Sequence, residues 1–174
     1  GPTGPQGIAG ATGPTGPTDI VEELHMPVKK RLETRSNTRN HVFNLVFQLE
    51  FFNKDDILQI VNKYYETLEA EEQFEKSKDE NFTSLKINKS IIEKQIFDLV
   101  NKLSEIDEKI KQCSTGWEIE RIDKVDLSIL RLAIYEMLFD DVPNKVAINE
   151  AIELAKEYSE EKSYRFINAV LAKV

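Results

Sequence analysis

The sequence predicts an all-α domain, and two observations carry that prediction. From Met26 to Val174 the chain holds one glycine, Gly116, and two prolines, Pro27 and Pro143. These residues punctuate helices most strongly, so their scarcity leaves room for long ones. Across the same span apolar residues recur at spacings of three and four, the period that gives a helix one buried stripe.

The first predicted helix runs from about Thr34 to Phe52, with Val42, Leu45, Val46 and Leu49 on one face. A second runs from about Asp55, a suitable capping residue, to about Gln73. Residues 74–88 read as a polar connection. Helix resumes at about Lys89 and continues to Gln112, with Ile92, Ile96, Leu99 and Leu103 aligned and a break expected near Leu103 to Ile106. Cys113 to Gly116 reads as a turn. The next helix, about Asp123 to Phe139, carries Ile129, Leu130, Leu132, Ala133, Ile134 and Met137 on more than one face. It is therefore predicted to be the central, most buried element. Asp140 to Lys145 turns around Pro143, and two last helices are predicted at about Ala147 to Tyr158 and Glu161 to Lys173.

Residues 1–25 are of another character. Glycine occupies every third position from Gly1 to Gly16, and six of the seven glycines lie here. This is the collagen repeat, in which only glycine fits the triple-helix axis. Six triplets are too few for a stable triple helix alone. The segment reads as an appended tail rather than a trimerising stalk, with Asp19 to His25 as linker and Met26 as the natural start of the domain at 26–174.

The apolar fraction of 40% suffices for a core, and 31% of residues are charged. No run approaches the ~18 apolar residues that a membrane helix needs, and the N-terminus does not read as a secretory signal. No membrane association is expected. The single cysteine, Cys113, cannot form an internal disulfide and fits a reducing, cytoplasmic setting. His25 and His41 follow no ligand spacing, so neither a metal nor a cofactor is expected. Net charge is −8, of which Asp19, Glu22 and Glu23 supply three in the tail, leaving −5 for the rest. An acidic body disfavours broad binding to nucleic acid, so any such site must be local.

No phosphate-binding glycine loop or nucleophile–base motif appears, and the protein is not expected to be an enzyme. The acid pairs Asp140–Asp141 and Glu160–Glu161 read as solvated turn residues, and Cys113 as a small buried filler. Two basic groups stand out. Lys29, Lys30 and Arg31 precede the first helix, and Arg35 and Arg39 share one face of its first turns. Cations there oppose the helix dipole, which suits an anionic partner. Lys162 and Arg165 interleave with Tyr164 and Phe166, a mixture that can neutralise phosphates and stack on unpaired bases. On sequence alone Phe166 also fits a core position, since it extends the set Ile167, Val170 and Leu171. Tyr158 could share its surface.

Two runs carry a family likeness. ERIDKVDLSILRLAIYEML (Glu120 to Leu138) and DVPNKVAINEAIELAKEYSEEKSYRFINAV (Asp141 to Val170) strongly resemble the NusB family of bacterial transcription antitermination factors. The resemblance extends from about Arg35 to Val174. It implies two small helical bundles packed at a steep angle. It also implies a non-catalytic role: with NusE, a small-subunit ribosomal protein, such proteins bind boxA RNA and join the RNA polymerase antitermination complex. Carried over by position, the RNA surface falls on Arg35, Arg39 and Phe166, with Lys162 and Arg165 beside it and Lys29 to Arg31 compensating for a sparser arginine run. Phe47 matches an aromatic position near the partner surface. Asn149 and Asn168 read as caps or buried hydrogen-bond formers. The N-terminal helix and the start of the last helix are thus expected to form one positive, aromatic face. The alternatives are a helical adaptor that binds protein but no RNA, and the RNA-binding domain of a ribosomal RNA methyltransferase. Monomer and homodimer both remain open.

Overall fold

A computed structural model describes residues 38–83 and 87–174. Among the described residues there are seven α-helices, two short 3₁₀ turns and no strand. Lys29, Lys30, Arg31, Arg35 and the glycine-repeat tail lie outside the described residues. The described chain separates into two compact units, residues 38–97 and 98–174.

In the N-terminal unit, α1 spans Thr38–Gln48 and buries every residue from Asn40 onward. It ends four residues before the predicted Phe52, because the amides of Leu49, Glu50 and Phe51 turn back to the carbonyls three residues earlier. Such bonds tighten and terminate a helix. The predicted cap is also displaced. Asn53 accepts the Asp55 amide at 2.9 Å and opens a 3₁₀ turn at Lys54–Asp56. Helix α2, Ile57–Lys78, then buries Ile60, Val61, Tyr64, Tyr65 and Leu68. It continues five residues past Gln73, where the sequence reads as a connection. The i,i+4 pair of Lys76 with Glu72 at 2.8 Å and the Lys78 ammonium over the Phe74 ring at 4.3 Å support that exposed end.

His41 is fully buried, and its Nδ1 lies 2.7 Å from the Tyr64 hydroxyl. It is a core histidine tying α1 to α2. The expected connection loses its first five residues to α2, and helix α3 begins where predicted, at Lys89–Asn101. Ile92, Ile96 and Leu99 form its buried line.

In the C-terminal unit, α4 spans Leu103–Cys113. The break from α3 falls at Lys102, one residue before the predicted region. Helix α4 buries Ile106, Ile110 and Cys113, and the thiol is a filler, as the sequence suggests. Gly116 at φ 84° makes the turn that a Cβ would resist. A 3₁₀ turn at Ile119–Arg121 leads to α5, Lys124–Phe139, capped by Asp123, whose carboxylate accepts the amides of Val125 and Asp126. Helix α5 is buried without interruption from Val125 to Glu136, and it packs against α4, α6 (Asn144–Tyr158) and α7 (Ser163–Leu171). Its predicted central place is observed.

Two polar ties hold this arrangement. The Arg131 guanidinium donates twice to Asp107 on α4, Nε to Oδ1 and an Nη to Oδ2, both at 2.9 Å. The Tyr135 hydroxyl donates to Asp98 at 3.0 Å. Burial first, and that hydrogen bond second, raise the Tyr135 hydroxyl far above the ordinary tyrosine value. After α5, Asp141 takes the left-handed conformation (φ 52°), tolerable for aspartate, and the Val142 amide reaches back to the Glu136 carbonyl at 3.1 Å. Helix α6 begins right after Pro143, three residues before the predicted Ala147, because proline's fixed φ suits a helix entrance. Helix α7 is shorter than predicted by two residues at each end.

Candidate nucleic-acid interface

The entrance to α7 brings basic and aromatic side chains together in Lys162, Tyr164 and Arg165. Lys162 and Arg165 are exposed, and Tyr164 between them is half-buried. The Arg165 Nε donates to the Tyr164 hydroxyl at 3.5 Å, and its guanidinium lies 5.9 Å from that ring's centroid. From the last turn of α6, the Lys156 ammonium stands 5.6 Å from the same centroid. Arg165 foremost, with Lys156, holds the Tyr164 hydroxyl below the usual tyrosine range. The geometry follows from the short turn after Tyr158, which sets the end of α6 beside the start of α7. Glu160 and Glu161 adjoin the cluster, so the positive region is narrow.

Lys156 is a member of this cluster that the sequence does not single out. The visible signal is its position eight residues before Tyr164, in the last turn of its helix. Its ion pair with Glu153 is long, at 3.9 Å, and both side chains are more than half exposed. Such a pair contributes little and leaves the ammonium available to an anion.

Arg39 lies half-buried in the first turn of α1. It belongs to the N-terminal unit, whereas Lys162, Arg165 and Phe166 belong to the C-terminal one. The remaining N-terminal cations, Lys29, Lys30, Arg31 and Arg35, fall outside the described residues.

The two phenylalanines differ from expectation. Phe166 is 5% exposed and meets Trp117 edge-on, with centroids 6.1 Å apart and planes at 67°. Its ring lies in the core with Ile167, Val170 and Leu171, which are also buried, and it presents almost no surface to solvent. Tyr164 is the ring that the surface offers. Phe47 is 3% exposed and packs edge-on against Phe51 at 5.0 Å. It is a core residue of its unit rather than an exposed contact for a partner. Tyr158 is half-buried at the end of α6. Asn149 and Asn168 are neither buried nor caps: both are exposed in the middle of α6 and α7, about 200° around the helix from flanking buried residues.

Beneath the cluster lies an unusual carboxylate. Asp126, in the first turn of α5, is fully buried, and Ser159 at the end of α6 donates to its Oδ1 at 2.6 Å. Burial is the largest influence on it and raises the carboxyl to about 7, with Asp123 and Glu160 adding to the rise and the serine hydroxyls opposing it. Nothing in the sequence marks Asp126, since the helical period alone makes it one more first-turn acid.

No group of three or more metal-ligating side chains occurs among the described residues. No described helix is long and apolar enough to cross a membrane.

The chain is similar to proteins of known family. The model of the NusB family matches residues 36–174. A transcription antitermination protein NusB of Agathobacter rectalis is 40% identical over 141 residues, covering 80% of this chain and 98% of that protein. The protein of that name from Lachnoclostridium phytofermentans is 42% identical over 143 residues, with 81% and 98% covered. One from Clostridium botulinum is 44% identical over 142 residues, with 80% and 98% covered. Among solved structures, T. maritima NusB superposes with a TM-score of 0.60 at 34% identity, covering 85% of this chain and 89% of that one.

Proposed function

The chain belongs to the NusB family, and from that premise we propose that it is a transcription antitermination factor that binds boxA-type single-stranded RNA together with a NusE-like ribosomal protein, within an RNA polymerase antitermination complex. The observation that carries the RNA half of this reading is the cluster of Lys156, Lys162, Tyr164 and Arg165, local and exposed on a chain of net charge −8. Lys162 and Arg165 neutralise phosphates, and the dipole of α7, positive at this end, adds to the attraction. Tyr164 stacks on an unpaired base. Phe166 holds this turn in place from below. Arg39 contributes a phosphate contact from α1, joined by Arg35 and by Lys29, Lys30 and Arg31. No bond is made or broken, and the chemistry is recognition alone.

The relatives bear on the choice between rivals. They are covered over 98% of their own length, so they carry no added catalytic domain, which supports a free-standing factor over the RNA-binding domain of a methyltransferase.

The test is a titration with a boxA-type RNA at several salt concentrations, with and without the ribosomal protein, for the parent and for Lys162→Ala/Arg165→Ala and Arg39→Ala variants. Each phosphate contact on a single strand contributes ~0.7 to the slope of log affinity against log salt. The double variant should lower that slope by about 1.4 while keeping its thermal stability, since exposed substitutions change stability by ~0.5 kcal/mol or less. Equal affinity and equal slope for parent and double variant would sink the proposal and favour the protein-only adaptor.

A further inference from the structure

Asp126 sits directly under the turn that carries the RNA cluster, and RNA recognition as proposed makes no use of it. Its carboxyl joins three elements: it starts α5, accepts from Ser159 at the end of α6, and is influenced by the Ser163 hydroxyl at the start of α7. Its Oδ2 is enclosed and accepts no hydrogen bond among the described residues. A buried anion with an unmet oxygen is costly, and protonation relieves that cost. The charged groups around it are mostly acidic. Asp123 faces it from its own helix cap, and Glu160 faces it from the turn. On α4, Asp107 is engaged by Arg131 of α5. Lys162, just before α7, and Arg165, in its first turn, are exposed to solvent.

We propose that Asp126 takes up a proton when polyanion binds: phosphates settling on Lys162 and Arg165 add negative charge above the turn and drive a proton from solvent onto the enclosed carboxyl, so RNA binds more tightly as pH falls. This rests on the RNA-binding reading above. It adds a regulation that the cations alone do not supply, because lysine and arginine keep their charge throughout the neutral range. The position suits the task. In its free state the carboxyl is poised near neutrality, raised by burial, so a small added field changes its occupancy.

The experiment follows the Asp126 side-chain carboxyl carbon by NMR across pH 5.5–8.5 in the full chain, alone and saturated with a boxA-type single-stranded RNA. RNA affinity is measured in parallel at pH 6 and pH 8 for the parent and Asp126→Asn. The titration midpoint should move upward by about 0.5 to 1 pH unit in the complex, equivalent to about 2.5-fold to fivefold tighter binding at pH 6 than at pH 8 for a carboxyl that titrates near 7 when free. Asp126→Asn should lose that difference. Any contribution from His41 remains in the variant and is subtracted by the comparison. A midpoint unmoved by bound RNA, or the same pH dependence in parent and variant, overturns the proton coupling alone. Absence of RNA binding at either pH overturns the functional reading and the coupling with it. If Asp126→Asn does not fold, the carboxyl titration of the parent decides unaided.

Discussion

Replacing Phe166 separates a ring that touches RNA from a ring that supports the residues that do. Its side chain is 5% exposed and sits edge-on to Trp117 at 6.1 Å. Truncating such a ring to alanine costs about 3–5 kcal/mol, of which the aromatic pair contributes about 0.5–1.5 kcal/mol. With a urea dependence near 2 kcal/mol per molar, the unfolding midpoint of Phe166→Ala should fall by about 2 M. Phe166→Leu keeps most of the apolar volume and should lose under ~1.5 kcal/mol. Trp117 is the single tryptophan of the chain and touches the altered site, so its emission reports both the local change and the unfolding. Phe166→Leu should bind boxA-type RNA nearly as well as the parent, because Lys162, Tyr164 and Arg165 stay where they are. A Phe166→Ala protein with an unmoved midpoint and abolished RNA binding would refute this account and return the ring to the surface.

Three further outcomes follow from the C-terminal unit. Asp107→Ala strips the two-bond partner from the nearly buried Arg131 guanidinium and should cost about 2–4 kcal/mol in chemical denaturation, and a loss under ~0.5 kcal/mol would show that solvent replaces the carboxylate. Asp123→Ala removes the cap that accepts two α5 amides and should cost ~1 kcal/mol, measured by the same denaturation. The folded Asp126 carboxyl, at about 7, lies above its ordinary value of 3.8. The folded state therefore binds the extra proton between those values, and stability should fall as pH rises from about 4 to about 7 and then level off. The span is on the order of 4 kcal/mol, absent in Asp126→Asn. Identical stability–pH curves for the two proteins would show that the carboxyl does not titrate in this way.

Much of the fold was legible because helices announce themselves by period and by punctuation. The six-member apolar set of α5 told of burial on more than one face, and its burial from Val125 to Glu136 matches that reading. Ends were less legible. The extension of α2 to Lys78 depends on surface pairs such as Lys76 with Glu72, which leave no apolar trace, and the early end of α1 depends on backbone turns that any side chain permits. The site was half legible. Lys162 and Arg165 were found because charge beside aromatics stands out in an acidic chain. Phe166 was ambiguous, since position on an apolar stripe and suitability for stacking look alike until burial is known. Lys156 and Asp126 were missed because their significance lies in what the α6–α7 turn brings near them.

Helix α5 has a consequence for descent. With neighbours on every side, it has no flank on which replacements go unpunished: a larger side chain collides and a smaller one leaves a hole. Ancestry should stay readable longest there, which gives a physical reason why the segment from Glu120 to Leu138 is one of the two that betray the lineage of this chain.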